Sequence, residues 1–298
     1  MDMQLAVLVD GIIYASWLFL IAVGLTLIYG VMNILNIAHG ALYALGAYAA
    51  ASFGGFWFSQ GYPPLGSYGA LVLAAIVVGL VMGPLIERGL LRFMYGRDEI
   101  ILLLVTYALF LILEDVIKLI WGVSPYIISQ PYGLLGIVEL GGLIYPVYSF
   151  VLIGVTILVG VLLAWALQGT RHGKLLRVVI HDRELSQTLG IDVRRYYLAT
   201  FTLGTMLAAL GGALTAPTVS VVPAMGVEVI VLAFAVVVVG GLGSLPGAAL
   251  GALIVGLLRS AAVHYVPALE LFAIYFVMAM VLIIRPRGLF AGEQARTI

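Results

Sequence analysis

An apolar region near the start of the chain is interrupted by three polar side chains that could do chemistry. Asn33, Asn36 and His39 follow at a spacing of three residues, which predicts that they share one face of a helix. Buried polar groups are costly in a membrane unless they are paired or face water, so these side chains could line a path for a polar solute. Equally, Asn33 and Asn36 could cap the next helix by accepting from its free N–H groups. His39 is more typical of a packed hydrogen-bonding residue than of a proton relay.

Ionisable residues also fall within apolar stretches later in the chain. Glu114 and Lys118 stand four residues apart, a spacing that lowers the burial cost of both, and Asp115 lies between them. A proton-coupled carrier would use such carboxylates. The neighbouring Trp121 and Pro125 favour the alternative, in which these groups snorkel to a membrane surface at the end of the helix. Arg259 and Glu270 could form a second buried pair.

The sequence lacks the residues that most other catalytic or binding chemistry requires. The chain has no cysteine, and its four histidines are scattered without a ligand-like neighbour, which leaves no predicted metal site. No G-x-x-x-x-G-K-[ST] phosphate loop occurs, and the stretch 169–174 has the wrong spacing for one. The net charge of zero gives no basic field for nucleic acid. We expect no enzyme activity and no cofactor bound by this chain.

The composition indicates an integral membrane protein. Of 298 residues 63% are hydrophobic and 9% charged, and the mean hydropathy is +1.19, whereas a soluble domain carries about 25% charged residues. A helix needs about 20 apolar residues to span a bilayer. Nine segments approach this length, at 8–31, 35–57, 68–86, 100–121, 143–168, 197–217, 226–242, 247–263 and 267–285.

These segments predict an all-α polytopic bundle of about 8–10 spans in a single transmembrane domain, 1–298, with short broken or re-entrant segments. The first two segments are separated by too few residues for an exposed loop. The segment that follows the glycine-rich stretch 240–247 is short and glycine-broken, so we expect it to be re-entrant. Small residues recur every fourth position at Gly204, Ala208 and Gly212, a spacing typical of close helix packing.

The basic residues orient these spans. They cluster in three polar regions, and in a nine-span arrangement all three regions fall on one side of the membrane. The clustered residues are Arg88, Arg92, Arg97, Arg171, Lys174, Arg177, Arg183, Arg194, Arg195, Arg285, Arg287 and Arg296. Because positive loops stay in the cytoplasm, we expect the N-terminus outside and the C-terminus in the cytoplasm.

The long polar interval 169–197 is patterned. Leu176, Val179 and Ile180 share one helical face, Leu185 and Leu189 share another, and charges occupy the remaining positions. This amphipathic pattern predicts short helices that lie on the membrane surface or dock a cytoplasmic partner. Gly190 fits a helix C-cap, where glycine enters the left-handed region at little cost.

Several motifs resemble those of branched-chain amino-acid ABC permeases. Residues 24–40 (GLTLIYGVMNILNIAHG) carry the strongest similarity, which continues at 46–48 (GAY), 239–248 (VGGLGSLPGA) and 284–290 (IRPRGLF). Glu184 followed by Gly190 is similar to the E-A-A-x-x-x-G coupling loop of ABC importers, with Leu185 and Ser186 in place of the alanines. The similarity covers nearly the whole chain, and the compact length resembles the H-type subunit.

The resemblance implies a permease subunit that carries leucine, isoleucine, valine or related amino acids across the inner or plasma membrane of a prokaryote. Its implied partners are a second permease, either M-type or a copy of itself, two ATPase subunits that use ATP and Mg, and a periplasmic or surface-tethered binding protein. The implied ATPase-coupling loop contains Asp182, Arg183, Glu184, Ser186, Gly190 and Ile191. An amide or urea permease, or an ion-coupled carrier or channel that acts without an ATPase, is the alternative.

The candidate translocation path joins the two discontinuities in the chain. Residues 246–250 can be laid over residues 38–42, because each stretch opens a helix rich in small residues. Paired breaks of this kind are typical of transport pathways. We therefore place Asn33, Asn36, His39, Ser244 and Pro246 on the candidate path.

Overall fold

The computed structural model describes residues 2–290, without the side chains of Asp2 and Arg183. Arg296, one of the clustered basic residues, lies outside the described residues. The helices are α1 Asp2–Met32, α2 His39–Ser59, α3 Ser67–Gly89, α4 Glu99–Trp121, α5 Gln130–Gly133, α6 Val147–Gly169, α7 Arg171–His181, α8 Arg183–Thr188, α9 Val193–Thr215, α10 Met225–Gly240, α11 Leu245–Tyr265 and α12 Glu270–Ile284. Strands β1 Ile137–Leu140 and β2 Leu143–Pro146 form an antiparallel hairpin, in which Ile137 pairs with Pro146.

Each of the nine predicted hydrophobic segments coincides with a helix, and the polytopic helical class is confirmed. Seven helices of the described chain are long and apolar enough to cross a membrane: α1, α3, α4, α6, α9, α11, and α12 together with the short 3-10 turn before it. The other two are α2, of 21 residues, and α10, of 16 residues.

The expectation of a re-entrant segment after the glycine-rich stretch is wrong. Helix α11 runs without a break for 21 residues from Leu245 to Tyr265. Its glycines do not break it because they face other helices, where Gly247 packs against Gly240 and Gly251 against Val236. The short helix is α10, which precedes the glycine-rich stretch.

Helices α1, α2 and α9 form the centre of the bundle. Small residues let their backbones touch, as predicted for the spacing of Gly204 and Gly212: Gly204 lies against Ile28 of α1, and Gly212 against the carbonyl of Tyr43 in α2. Because lipid supplies no hydrophobic drive between helices, such close contact is a main source of their association.

Basic residues gather at one end of the bundle, which we call the basic end. Arg92, from the α3–α4 connection, and Arg194, at the start of α9, line one cavity there. The stretch after α12 returns to the same end, where the Phe290 N–H donates to the Gly240 carbonyl at 2.9 Å. At the opposite end, the β hairpin lies beside the start of α1, with Gly141 against Leu5.

Candidate functional site

The polar break between α1 and α2 is irregular backbone. Asn33 leaves the helix with a φ of +52°, and residues 33–38 are not helical, so the expectation that Asn33, Asn36 and His39 share a helical face is wrong. Thr106 of α4 holds the segment, because its hydroxyl donates to the Leu35 carbonyl at 3.0 Å. The capping alternative is also wrong: α2 begins after Ala38 with no side-chain cap. Asn36 is fully buried, and its amide has no partner among the described residues.

His39 fixes where α2 begins. Its ring Nε2 lies 2.9 Å from the carbonyl oxygen of Ile21, and the side chain is fully buried, as expected of a packed hydrogen-bonding residue. Ile21 precedes the end of α1 at Met32 by 11 residues, which is roughly 16 Å along a helix. The segment 33–38 therefore folds back along α1, and α2 starts within the bundle.

A second helix starts beside the first. A Cβ atom added to Gly40, at the start of α2, would collide with the carbonyl of Gly226, in the first turn of α10. Ala224, the N-cap of α10, has a left-handed φ of +67°. This meeting of two helix starts was not predicted from the sequence. The available signal was Pro223 and Gly226 at the edge of a hydrophobic segment that is too short to span a membrane.

Glu114 of α4 lies at this meeting point of the two helix starts. It is buried, and its carboxylate oxygen accepts a hydrogen bond at 2.9 Å from the Ala224 N–H. The expected pair with Lys118 and the snorkelling of Glu114 are wrong. Lys118 instead pairs with Asp115 at 3.0 Å, because Asp115 points out of the bundle and Glu114 points in.

Replacing Glu114 by alanine is expected to destabilise the bundle by about 1–3 kcal/mol, because the Ala224 N–H loses its acceptor in a buried setting. The matched control is Asp115→Ala on the exposed face of the same turn, expected to change stability by less than about 0.5 kcal/mol. Thermal unfolding of the purified protein in detergent measures both. Equal melting temperatures for the two variants would contradict the role given to Glu114.

The second discontinuity lies at the basic end. Gly241 and Gly243 adopt φ values of +107° and +77° in the turn between α10 and α11. The Ser244 hydroxyl accepts from the Gly247 N–H at 3.1 Å and so caps α11, whereas Pro246 is exposed in its first turn. Gly243 touches Gly30 of α1, close to where the first discontinuity starts. The described residues form two cavities of about 750 Å³ each, and none of the five candidate path residues lines either of them.

The polar interval forms helices α7 and α8 together with the start of α9. In α7, Leu176 and Val179 are buried and Ile180 is half-buried, which confirms the predicted amphipathic face. The Thr170 hydroxyl caps this helix by accepting from the Gly173 N–H at 3.0 Å. Gly173 also packs against the Ala166 carbonyl, so α7 turns tightly from the end of α6.

Helix α8 projects at the tip of this interval. Asp182 caps it by accepting from the Leu185 N–H at 2.8 Å, and the buried Ser186 hydroxyl donates to the Asp182 carbonyl at 2.6 Å. Gly190 follows the helix with a φ of +78°, as expected of a C-cap glycine. The Ile191 N–H donates back to the Ser186 carbonyl at 2.9 Å. Short-range hydrogen bonds therefore fix the shape of this tip.

The outer surface of α8 is apolar as well as charged. Leu185 is 51% exposed and Leu189 is 64% exposed, and Glu184 beside them is exposed too. Of the α8 side chains that the structure describes, only Ser186 is buried. Two exposed leucines therefore lie beside a charged side chain at this tip.

A large cavity opens at the basic end next to this tip. Its volume is about 750 Å³, and it lies between the ends of α1 and α6, helix α7 and the start of α9. Leu189, Gly190 and Ile191 line it, whereas Asp182, Glu184 and Ser186 do not. The walls are mainly apolar and include Leu27 and Leu203.

A second cavity, also of about 750 Å³, lies at the opposite end of the same helices. The first half of α1, the start of α6 and the end of α9 enclose it, together with α10, α11 and α12. Arg259 and Glu270 form the expected ion pair on its wall, but both side chains are half-exposed, so the expectation that the pair is buried is wrong. The Arg259 guanidinium also lies over the Tyr14 ring, 3.9 Å from its centroid.

Residues 7–284 match the family described as "Branched-chain amino acid transport system / permease component". A relative from Pseudomonas aeruginosa, the "High-affinity branched-chain amino acid transport system permease protein BraD", is 27% identical over 98% of this chain and 97% of its own. The corresponding LivH protein of Salmonella typhimurium is 26% identical over 97% and 96%. A "Probable branched-chain amino acid transport permease protein LivH" from Methanocaldococcus jannaschii is 32% identical over 87% and 81%.

Proposed function

Because this multi-pass membrane protein belongs to the family of branched-chain amino acid transport system permease components, we propose that it is the permease subunit of an ATP-driven importer for these amino acids. The observation that carries the proposal is the match to the family over residues 7–284, joined to a fixed helical tip with exposed leucines. The substrate class follows from the names of relatives that align with nearly the full chain.

In this proposal, helix α8 and its flanks form the contact with the ATPase. The coupling loop contains Asp182, Arg183, Glu184, Ser186, Gly190 and Ile191. Two of these residues, Asp182 and Ser186, shape the tip through hydrogen bonds to its backbone, and Gly190 ends the helix. Glu184 and the exposed leucines offer the surface that the ATPase would contact.

The basic end faces the cytoplasm in this proposal, because loops rich in arginine and lysine are retained there. That orientation places the N-terminus outside, and the opposite-end cavity then faces the side from which substrate arrives. The membrane is the inner or plasma membrane of a prokaryote. The remaining partners are a second permease chain, of the M-type or a copy of this one, and a periplasmic or surface-tethered binding protein. ATP and Mg are bound and used by two separate ATPase subunits, so the chain itself is not an enzyme.

Reconstitution tests this function. The chain is placed in liposomes with its ATPases, its permease partner and its binding protein, and uptake of labelled leucine is measured with ATP enclosed. We expect uptake that requires ATP and every subunit, with unlabelled isoleucine and valine competing. A matched preparation carries an ATPase variant that binds ATP without hydrolysing it.

Two results would contradict the proposal. Uptake driven by an ion gradient in liposomes that hold this chain alone would identify a carrier. Competition by an amide or by urea, without competition by isoleucine and valine, would identify another substrate class.

A further inference from the structure

We propose that the opposite-end cavity binds the amino acid itself, with Arg259 holding its carboxylate and Glu228 holding its ammonium group. This inference rests on the proposed function and extends it to a binding site within the permease. The cavity of about 750 Å³ falls within the range of about 300–1,000 Å³ that is usual for small-molecule sites.

Arg259 has donors to spare for a ligand carboxylate. A guanidinium carries five N–H donors, and among the described residues only Glu270 accepts from it. Its side chain remains 29% exposed, and Arg259 lines the cavity. The Tyr14 ring beneath the guanidinium fixes its plane by a cation–π contact. A planar guanidinium held in this way suits bidentate recognition of a carboxylate.

Glu228 is the carboxylate available for the ammonium group. The cavity has three acidic side chains, and two of them already have partners: Glu270 pairs with Arg259, and Asp10 lies 3.2 Å from His264. Burial, and to a lesser extent the Asp10 carboxylate nearby, raise the pKa of the Tyr145 phenol, so it stays protonated and can donate to Asp10 as well. No hydrogen bond or ion pair reaches Glu228 within the part of the chain that the structure describes.

Glu228 is exposed, and it lines the cavity together with Arg259, so a ligand there can reach its carboxylate. It lies in the first turn of α10, an otherwise apolar helix. Ionisable residues within membrane segments mark substrate paths more often than packing sites. A group of each sign in one cavity is the pattern that complements a zwitterion.

Part of the wall fits an aliphatic side chain. Leu152, Val227, Val231, Leu232 and Leu271 line the same cavity and contribute no polar side-chain atom. They offer a surface for a branched hydrocarbon, so that the site would favour leucine, isoleucine and valine over polar amino acids.

Equilibrium binding to the purified assembly in lipid nanodiscs, without the binding protein, tests the site. Labelled leucine is displaced by unlabelled leucine, by leucinamide, which lacks the carboxylate, and by 4-methylpentanoate, which lacks the ammonium group. In the unsubstituted assembly we expect each analogue to bind about 10- to 100-fold more weakly than leucine, the usual effect of one lost hydrogen bond to a charged group.

The substitutions should act on one ligand group each. Glu228→Gln is expected to weaken leucine binding about tenfold or more while 4-methylpentanoate binding changes little. Arg259→Lys should in turn reduce the difference in binding affinity between leucine and leucinamide. Glu139→Gln is the matched control, since Glu139 is exposed on β1 and does not line the cavity. If the Arg259 variant fails to fold, Glu228→Gln alone tests the proposed site.

Two results would overturn the site. Glu228→Gln could weaken leucine and both analogues by the same factor, which is what a purely structural role predicts. Alternatively, an assembly that imports leucine with its binding protein could show no saturable leucine binding at millimolar concentration, as expected if lipid or the second permease fills the cavity. Failure of the proposed function looks different, because then the unsubstituted assembly shows no ATP-dependent leucine uptake at all.

Discussion

Replacing Gly212 by leucine is expected to leave almost no correctly folded protein in the membrane. A Cβ atom at this position would collide with the Tyr43 carbonyl and lie 2.9 Å from the Ala47 backbone nitrogen. Both atoms belong to the α2 backbone, so no change of rotamer relieves the clash. Overpacking a core costs about 1–3 kcal/mol when side chains can adjust. We expect the cost here to reach or exceed the upper end of that range, because α2 and α9 must separate.

The matched control is Gly154→Leu on α6, where nothing lies within 4 Å of an added Cβ atom. Leucine has a higher helix propensity than glycine by about 0.5–1 kcal/mol, so this change should be neutral or slightly stabilising. The measurement is the yield of monodisperse protein after detergent extraction, followed by its melting temperature. Equal yields for the two variants would contradict the close contact of α2 with α9.

Replacing Leu189 by aspartate is expected to reduce ATP-driven uptake strongly while the chain remains folded in the membrane. Leu189 is 64% exposed, so its loss costs the isolated chain little. Burial of one leucine in an interface contributes about 1.5–3 kcal/mol, which corresponds to roughly 10- to 100-fold in affinity for the ATPase. The double variant Leu185→Asp with Leu189→Asp should weaken the association further, because Leu185 is 51% exposed beside it.

Co-purification of the ATPases with the tagged permease measures this effect, together with uptake in liposomes. Leu65→Asp is the control, since Leu65 is 65% exposed in the turn before α3, which lies outside the coupling loop. The interfacial alternative predicts a different outcome. If Leu185 and Leu189 lie on lipid, the aspartate variants will retain the ATPases, and the coupling role of α8 is then wrong.

Length and hydrophobicity were enough to predict the helices. Each of the nine apolar segments became a helix because a bilayer leaves the backbone few alternatives. The amphipathic face of α7 and the C-cap at Gly190 were predicted for similar local reasons, since both depend on residues within a few positions of one another.

The contacts that depend on the three-dimensional arrangement were not predicted. Glu114 and Lys118 satisfy the spacing rule for an ion pair, yet the bundle turns Glu114 inward to the Ala224 N–H. Asn36 and His39 have a helical spacing, yet the chain between α1 and α2 folds back instead. The approach of Gly226 to Gly40 joins residues far apart in sequence, and no local pattern encodes it.

The backbone contacts of α2 have a mechanical consequence. It touches α9 at Gly46 and Gly212, and it touches α10 at Gly40, and at these positions no side chain separates the backbones. Packed interfaces of this kind shift between discrete arrangements and do not deform gradually. In the proposed function, a displacement of α8 by the ATPase would reach α9 through residues 189–192, which join the two helices. Helices α2, α9 and α10 would then change position together, and the starts of α2 and α10 would move with α9.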